Sequence, residues 1–376
     1  MSTTKRIGLI GLSAKGSWAS KSHLPYLQKS PHYKITALQN SSKASAQAAV
    51  ETYKLDSTVS TYDNPKALAA DANVDIVAVS VNVPEHYALI KPALEAGKDV
   101  FVEWPLARNL ADAEELTQLA KSKGVRTMVG LQARQSPPIV KAKEIVESGK
   151  LGQILGTTMY GHGIIFGPTI HASFLYGMDV ENGANLLTIP FGHAVDALCF
   201  VLGEISSLNA TLANNRPELP LMDHDGKEIR KVSKTAHDYV SITGNLVKGG
   251  VVDVTYVGGM SRTGRDFYWE ITGTEGSLVF EGPQGGGHVQ MHQPTLKYVG
   301  NEPEAKLEVV EVEQPDGTEQ TTYLHKANHA FNVGKAWDSW AGAGQSVTAF
   351  EDALVRHRMI DAFYRSAKEG TRESYL

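Results

Sequence analysis

Short apolar runs alternate with helix-like stretches through the first third of this 376-residue chain. Amphipathic stretches such as residues 45–53 and 111–123 separate the runs. Strands that alternate with helices form a parallel sheet, and continuous apolar strands fit burial on both faces of that sheet. The pattern therefore predicts an α/β fold with a Rossmann doubly wound parallel sheet over residues 1–133. The apolar runs are residues 7–11, 33–38, 74–80, 100–103 and 127–130.

The apolar pattern changes its period after about residue 154. Residues 239–246 alternate between apolar and polar side chains, and residues 251–257 and 268–272 are further candidate strands. Alternation at period two is typical of antiparallel strands with one buried face. A chain of this length is also expected to contain two domains. Residues 134–376 are therefore predicted to form an α+β domain with an antiparallel open sheet.

Composition argues against several classes of function. Hydrophobic residues make up 42% of the chain and charged residues 20%, as in soluble globular proteins. The net charge is −5 and no basic tract is present, so no direct contact with nucleic acid is expected. Cys199 is the single cysteine, which fits a reducing compartment. No apolar run is long enough to span a membrane. We expect a cytoplasmic, or also nuclear, protein.

A degenerate glycine-rich loop, Gly11-Leu12-Ser13-Ala14-Lys15-Gly16, follows the first predicted strand. In dinucleotide-binding folds such a loop opens a helix, and its glycines let backbone amides approach the pyrophosphate. Serine stands here where the second glycine is usual. A tight strand-to-helix turn without a ligand is the alternative interpretation. The candidate cofactor-binding residues of this loop are Gly11, Ser13, Lys15 and Gly16.

The second predicted strand ends in a polar segment that bears on the choice of cofactor. NAD-selective folds usually carry an acidic residue near this point to hold the ribose hydroxyls. None is present, and Ser41, Ser42 and Lys43 stand there instead. Two hydroxyls and an ammonium group suit a 2′-phosphate, so NADP(H) is the expected cofactor. An ordinary polar loop, with NAD as the cofactor, stays open as the alternative.

The order of motifs resembles the glucose–fructose oxidoreductase / inositol dehydrogenase (Gfo/Idh/MocA) family along nearly the whole chain. That resemblance implies a nicotinamide cofactor, a sugar-like or small carbonyl substrate, and a homodimer formed through the antiparallel sheet. It also implies that His86 lies at the cofactor edge and that Glu103 positions the nicotinamide ribose. Besides the glycine-rich loop, the motifs include Asn82-Val83-Pro84-Glu85-His86, Glu103-Trp104-Pro105, Gly192-His193-Ala194-Val195-Asp196 and Gly273-Thr274-Glu275-Gly276.

Two polar groups of the family's usual catalytic set are replaced in this chain. The family's Glu-Lys-Pro motif supplies a proton-donating lysine, and Trp104 stands at that position. Counting back from His193 in the family's Asp-x-Gly-x-His pattern, Phe191 holds the glycine position and Ile189 the aspartate position. His193 is then the best acid–base candidate, because an imidazole ordinarily titrates near neutral pH. Tyr176 is the second catalytic candidate.

The roles of Trp104 and of the whole chain have two interpretations. Trp104 either contacts the cofactor by stacking on the nicotinamide or is a core residue at a strand end. The departures from the family pattern resemble its fungal galactose-pathway repressor branch, which also shares Trp18, Lys21 and His23. An NAD(P)-dependent oxidoreductase is the leading expectation. The alternative is a non-catalytic dinucleotide-binding transcriptional regulator that binds a protein partner.

Overall fold

The computed structural model describes residues 4–315, 319–320, 326–344 and 346–376. They form two compact units. The first contains residues 4–131 together with His329–Leu354, and the second contains Gln132–Asn328 together with Val355–Leu376. A single boundary at residue 133 leaves the later segment out of the first unit. No described helix is long and apolar enough to cross a membrane.

The first unit is built on a six-stranded parallel sheet. Its strand order is β3-β2-β1-β4-β5-β6, so the order reverses between β1 and β4. This topology confirms the predicted doubly wound sheet. The short strand β3 was not predicted, because its three half-buried residues form no apolar run. The strands are β1 Lys5–Ile10, β2 Tyr33–Gln39, β3 Ser60–Tyr62, β4 Ile76–Val79, β5 Asp99–Glu103 and β6 Thr127–Gly130.

Helices connect the strands, and most of them begin at residues that suit a helix start. Asn109, for example, caps a fourteen-residue helix that ends at Gly124 in the left-handed conformation. The helices of the described chain are α1 Trp18–Ser22, α2 Leu24–Leu27, α3 Lys43–Thr52, α4 Pro65–Ala69, α5 His86–Glu95, α6 Leu110–Lys123, α7 Pro137–Glu147, α8 Gly192–Leu202, α9 His329–Trp340 and α10 Phe350–Glu369.

The core of the first unit includes side chains from the last sixth of the chain. Trp337 of α9 is fully buried and stacks on Phe101 of β5 at 4.8 Å between ring centroids. The Tyr33 hydroxyl of β2 donates to the Trp337 carbonyl oxygen at 3.0 Å. Arg126 donates to the Trp340 carbonyl oxygen at 2.5 Å. The first unit is therefore discontinuous in sequence and needs α9 to close its core.

The second unit contains a largely antiparallel eight-stranded sheet of order β17-β16-β15-β14-β7-β13-β12-β9. The predicted α+β class is confirmed. One central pair, β7 with β13, is parallel. The connection from β7 to its parallel partner β13 is long and contains α8, since parallel neighbours cannot be joined by a tight turn. The strands are β7 Ile154–His162, β8 Ile170–His171, β9 Ile205–Ala213, β10 Glu218–Met222, β11 Glu228–Ser233, β12 Tyr239–Leu246, β13 Val251–Val257, β14 Phe267–Gly273, β15 Gly276–Glu281, β16 Thr295–Gly300, β17 Glu308–Val309, β18 Glu319–Gln320 and β19 Lys326–Ala327.

Truncating Trp337 tests the contribution of α9 to the first unit. Replacing a buried tryptophan by alanine typically costs about 3–5 kcal/mol. Trp337→Ala should therefore lower the free energy of unfolding by that amount, measured by urea denaturation. Gln118→Ala, an exposed change on α6, is the control and should change it little. Equal stability of the two variants would contradict the packing of α9 described here.

Candidate functional site

The carboxyl edge of the parallel sheet has the features of a ligand site at the point where β1 and β4 diverge. Gly11 has a φ of +99°, and a Cβ there would lie 2.2 Å from the Ser80 carbonyl oxygen, so only glycine fits. Nearby, the Gln39 side-chain oxygen and the Ser80 hydroxyl are buried without a hydrogen-bond partner among the described residues. Such atoms are costly unless a ligand satisfies them. This edge is where doubly wound folds bind nucleotides, so the residues present fit a dinucleotide.

The glycine-rich loop is held together from within. The backbone N–H of Lys15 donates to the Ser13 hydroxyl at 3.2 Å, and the N–H of Gly16 donates to the Ser13 carbonyl oxygen at 3.0 Å. The Tyr53 hydroxyl also donates to the Ser13 carbonyl oxygen, at 2.7 Å. Serine at the second glycine position therefore stabilises the loop conformation. Helix α1, which follows the loop, spans only five residues.

The segment after β2 lies beside this loop, because β2 pairs with β1 up to Gln39. Ser41, Ser42 and Lys43 are exposed at the start of α3, and the Ser42 hydroxyl caps the helix by accepting from the Ser45 N–H at 3.1 Å. The three residues are thus brought to the expected edge. The Asn40 side chain, which the sequence analysis missed, donates to the Leu12 carbonyl oxygen at 2.8 Å and ties the two loops together.

Two histidines bond to the segment that follows β5. His23 Nε2 lies 2.5 Å from Glu103 Oε1, and His23 Nδ1 accepts from Trp337 Nε1 at 3.0 Å. His86 is fully buried, with Nδ1 2.8 Å from the Pro105 carbonyl oxygen and Nε2 3.1 Å from that of Val81. Burial lowers the pKa of His86 below its ordinary value. The neutral ring has one N–H and can donate to only one of these two carbonyl oxygens, and the bond to Pro105 would hold the backbone of this segment. Trp104 is itself buried.

His193 is the second residue of α8 and is buried. Burial lowers the pKa of its imidazole to about 3, an effect that Asp196 opposes and His288 reinforces. Nδ1 has no hydrogen-bond partner among the described residues. Phe191, at the family's glycine position, packs edge-on against Tyr256 in the core of the same unit. His193 is thus a neutral ring with an unsatisfied nitrogen.

Asp196 shares the helix with His193 but serves a different purpose. Its carboxylate accepts two hydrogen bonds from Arg134, at 2.9 and 2.7 Å, and Arg356 Nε lies 3.5 Å from Oδ1. Arg356 also pairs with Glu204. All the charge of Asp196 is therefore met by arginines, in a buried ion cluster that the sequence analysis did not foresee. Arg134 and Arg356 come from other elements than α8, so the sequence around Asp196 gives no sign of the cluster.

Tyr176 lies in a 3₁₀ segment, Ala172–Met178, and is half-buried. Burial raises the pKa of its phenol above the ordinary value, so it holds its proton near neutral pH. In the part of the chain that the structure describes, no hydrogen bond joins its hydroxyl to His193. No group of three or more described His, Cys, Asp or Glu residues could hold a metal ion. His193 and Tyr176 remain separate candidates within the second unit.

Profiles of two known families match this chain. Residues 5–131 match the oxidoreductase family described as having an NAD-binding Rossmann fold. Residues 137–282 match the C-terminal domain of Gal80p. The first match covers the parallel sheet, and the second falls within the unit that carries His193.

Two similar proteins align with this chain along nearly their whole lengths. "Dehydrogenase aclE" of Aspergillus oryzae is 35% identical, with 100% of this chain and 99% of that protein covered. The galactose/lactose metabolism regulatory protein GAL80 of Saccharomyces cerevisiae is 30% identical, with 97% of this chain and 93% of that protein covered. One of these relatives is named as an enzyme and the other as a regulator.

The similar solved structures also include both a regulator and an enzyme. A super-repressor mutant of Gal80p from Saccharomyces cerevisiae superposes with a TM-score of 0.87 at 28% identity, covering 99% of this chain and 98% of that chain. Levoglucosan dehydrogenase in complex with NADH and levoglucosan superposes with a TM-score of 0.78 at 20% identity, covering 99% of each chain. The second likeness establishes a shared fold.

Neutralising Asp196 tests the buried ion cluster. Asp196→Asn leaves Arg134 and Arg356 without their shared anion, and breaking a buried pair costs about 3–5 kcal/mol. The free energy of unfolding should fall by that amount in denaturant titrations. Asp361→Asn, which removes the partner of the partly exposed Arg365, should cost about 1 kcal/mol or less. Similar losses in the two variants would refute the special role of the cluster.

The buried histidines predict a pH dependence of stability. Burial lowers the pKa of His193 to about 3 and that of His288 to about 4, from 6.5. As pH falls below 6.5, the unfolded chain takes up protons at these rings while the folded chain does not, so the free energy of unfolding falls. His193→Gln should flatten this fall between pH 6.5 and 4, measured by thermal unfolding. An unchanged pH profile would contradict the burial of a neutral His193.

Proposed function

Because this chain belongs to the Gfo/Idh/MocA oxidoreductase family, we propose that it is an NAD(P)-dependent oxidoreductase acting on a sugar-like or small carbonyl substrate. The observation that carries the proposal is the buried Nδ1 of His193, which lacks a hydrogen-bond partner among the described residues. A buried polar atom without a partner costs about 1–3 kcal/mol. A substrate hydroxyl or carbonyl group would satisfy that atom.

His193 is the acid–base candidate for this reaction. A bound nicotinamide would supply the capacity to accept or donate a hydride. The His193 ring, whose pKa burial lowers to about 3, is neutral near neutral pH. A neutral imidazole can take the proton of an alcohol as its hydride leaves, and in the reverse reaction the resulting imidazolium would return that proton to the carbonyl oxygen. We therefore assign it the base role in alcohol oxidation, with Tyr176 as a second polar group for the substrate.

We propose NADP(H) as the preferred cofactor, with NAD(H) as the weaker ligand. Gly11, Ser13, Lys15 and Gly16 would hold the pyrophosphate. Ser41, Ser42 and Lys43 are exposed at the start of α3 and would meet the 2′-phosphate. Hydrogen bonds to an ionised phosphate are stronger than hydrogen bonds between neutral groups. Glu103 would accept from the nicotinamide ribose, while His86 and Trp104 support the same segment.

A second candidate function is that of a non-catalytic, dinucleotide-bound regulator that binds a protein partner. It is favoured by the pKa of His193, because a base titrating near 3 exchanges protons poorly at neutral pH. Trp104 adds no proton donor where the family carries lysine. The likeness to GAL80 supports this candidate, and the likeness to dehydrogenase aclE supports the first.

We also propose that two copies pair through the open sheet of the second unit. On the less buried face of β12 and β13, Tyr239 and Val251 are exposed. A sheet face that is open in one copy can be covered by the same face of a second copy. A homodimer of this kind is compatible with either candidate function.

The cofactor assignment predicts how Lys43→Ala behaves. Losing a charge-assisted contact should weaken NADP(H) binding by about 1.5–3 kcal/mol, and NAD(H) binding should change little because NAD lacks the 2′-phosphate. Titration calorimetry with both cofactors measures the difference. Lys29→Ala, an exposed change in the same unit, is the control. A clear preference of the wild type for NAD(H) would contradict the assignment of NADP(H) as the preferred cofactor.

The catalytic assignment predicts how His193→Ala behaves. General acid–base groups typically contribute about 10²–10⁴-fold, so turnover should fall by a factor in that range while dinucleotide affinity is retained. Steady-state rates on sugars, alcohols and small carbonyl compounds measure the effect. A variant with normal turnover would refute the role of His193. Wild-type protein that binds the cofactor but converts none of these substrates would favour the regulator.

A further inference from the structure

We propose that His23 and Trp337 are positioning residues that hold the Glu103 carboxylate in place for a ribose hydroxyl of the dinucleotide. This inference rests on the proposed cofactor, whose nicotinamide ribose Glu103 would contact. It concerns three side chains of the first unit, from the start of α2, the end of β5 and α9. Neither histidine nor tryptophan need touch the ligand for this role.

The hydrogen bonds determine which nitrogen of His23 carries the proton. An indole N–H is a donor only, and Trp337 Nε1 lies 3.0 Å from His23 Nδ1. Nδ1 must therefore be the acceptor. The proton of the neutral ring is then on Nε2, which donates to Glu103 Oε1 at 2.5 Å. The hydrogen bonds are therefore donated in one direction, from Trp337 to His23 and from His23 to Glu103.

The position of Glu103 is constrained from two sides. The bond from His23 is the only hydrogen bond of its carboxylate among the described residues, which leaves Oε2 as a free acceptor. Oε2 lies over the Cα of Gly130, and a Cβ built there would come within 2.7 Å of it. A side chain at 130 would have to push the carboxylate away from its place. His23 and Gly130 therefore both constrain the position of the Glu103 carboxylate.

Ring packing restricts the orientation of both Trp337 and His23. Trp337 is fully buried, stacked on Phe101 with 17° between the ring planes. The His23 ring meets the Phe101 ring edge-on at 4.9 Å. Buried rings in such contacts have little rotational freedom. Trp337, more than three hundred positions from His23 in sequence, therefore orients the ring that donates to Glu103 at the end of β5.

Two ligands separate positioning from loss of fold. NADPH contains the nicotinamide ribose, and adenosine 2′,5′-bisphosphate carries only the adenosine half. His23→Phe keeps a ring against Phe101 but cannot donate to Glu103, so we expect NADPH to bind about tenfold to a hundredfold more weakly. Adenosine 2′,5′-bisphosphate should bind as to the wild type. His23→Gln retains an N–H donor and should recover part of the NADPH affinity.

Two further variants test the route of the effect. Trp337→Phe keeps the stack on Phe101 but removes the indole donor, and it should weaken NADPH less than His23→Phe does. Gly130→Ala displaces Oε2, so its effect on NADPH should be non-additive with that of His23→Phe. Tyr26→Phe is the matched control. It removes the bond from α2 to Asp338 of α9 and leaves the relay intact, that is, the hydrogen bonds that join Trp337, His23 and Glu103. NADPH affinity should therefore be unchanged.

The outcomes are distinct. Nitrogen-15 NMR of the wild type, in the absence of ligand, should show His23 protonated at Nε2 and unprotonated at Nδ1. The opposite tautomer would overturn the relay whatever the cofactor is. NADPH affinity unchanged in His23→Phe, or equal weakening of both ligands, would also overturn it. Wild-type protein that binds neither ligand would overturn the cofactor assignment together with this inference.

Discussion

The hydrogen bond from Trp337 to His23 is the constraint on which the nucleotide-binding edge depends. It joins α9 to His23 at the start of α2, and it directs His23 onto Glu103 at the end of β5. On the other side of the same segment, His86 fixes the backbone at Pro105. The Glu103-Trp104-Pro105 turn is thus held by side chains from three parts of the sequence.

The two units differ in how well they fit an oxidoreductase. The first retains the glycine that its loop geometry demands, unsatisfied polar atoms at the switch point, and a fixed carboxylate. Of the two positions where the family's polar catalytic groups are replaced, Trp104 lies in the first unit and Ile189 in the second, and burial depresses the pKa of the second unit's acid–base candidate, His193. The residues that fit a dinucleotide and the acid–base candidate His193 therefore lie in different units. The named relatives include both a dehydrogenase and a regulator.

Sequence patterns predicted the elements that are built from local residues. The apolar runs predicted five of the six parallel strands, and the period-two pattern predicted the second sheet. The short β3 was missed because it has no apolar run. The helix α9 was not assigned to the first unit, because periodicity does not say what a helix packs against. The Arg134–Asp196–Arg356 cluster and the role of His23 were missed for the same reason. Each depends on residues distant in sequence that only the fold brings together.

A single-turnover experiment tests the central claim most directly. Wild-type protein in excess over NADP⁺ would be mixed with each of a panel of sugars and alcohols, and reduction of the nicotinamide would be followed by its absorbance. The oxidoreductase account predicts that at least one substrate reduces the bound NADP⁺ in proportion to the amount of cofactor added, and that this reduction is far slower in the His193→Ala variant. Tight binding of NADP⁺ with no reduction by any substrate would contradict it.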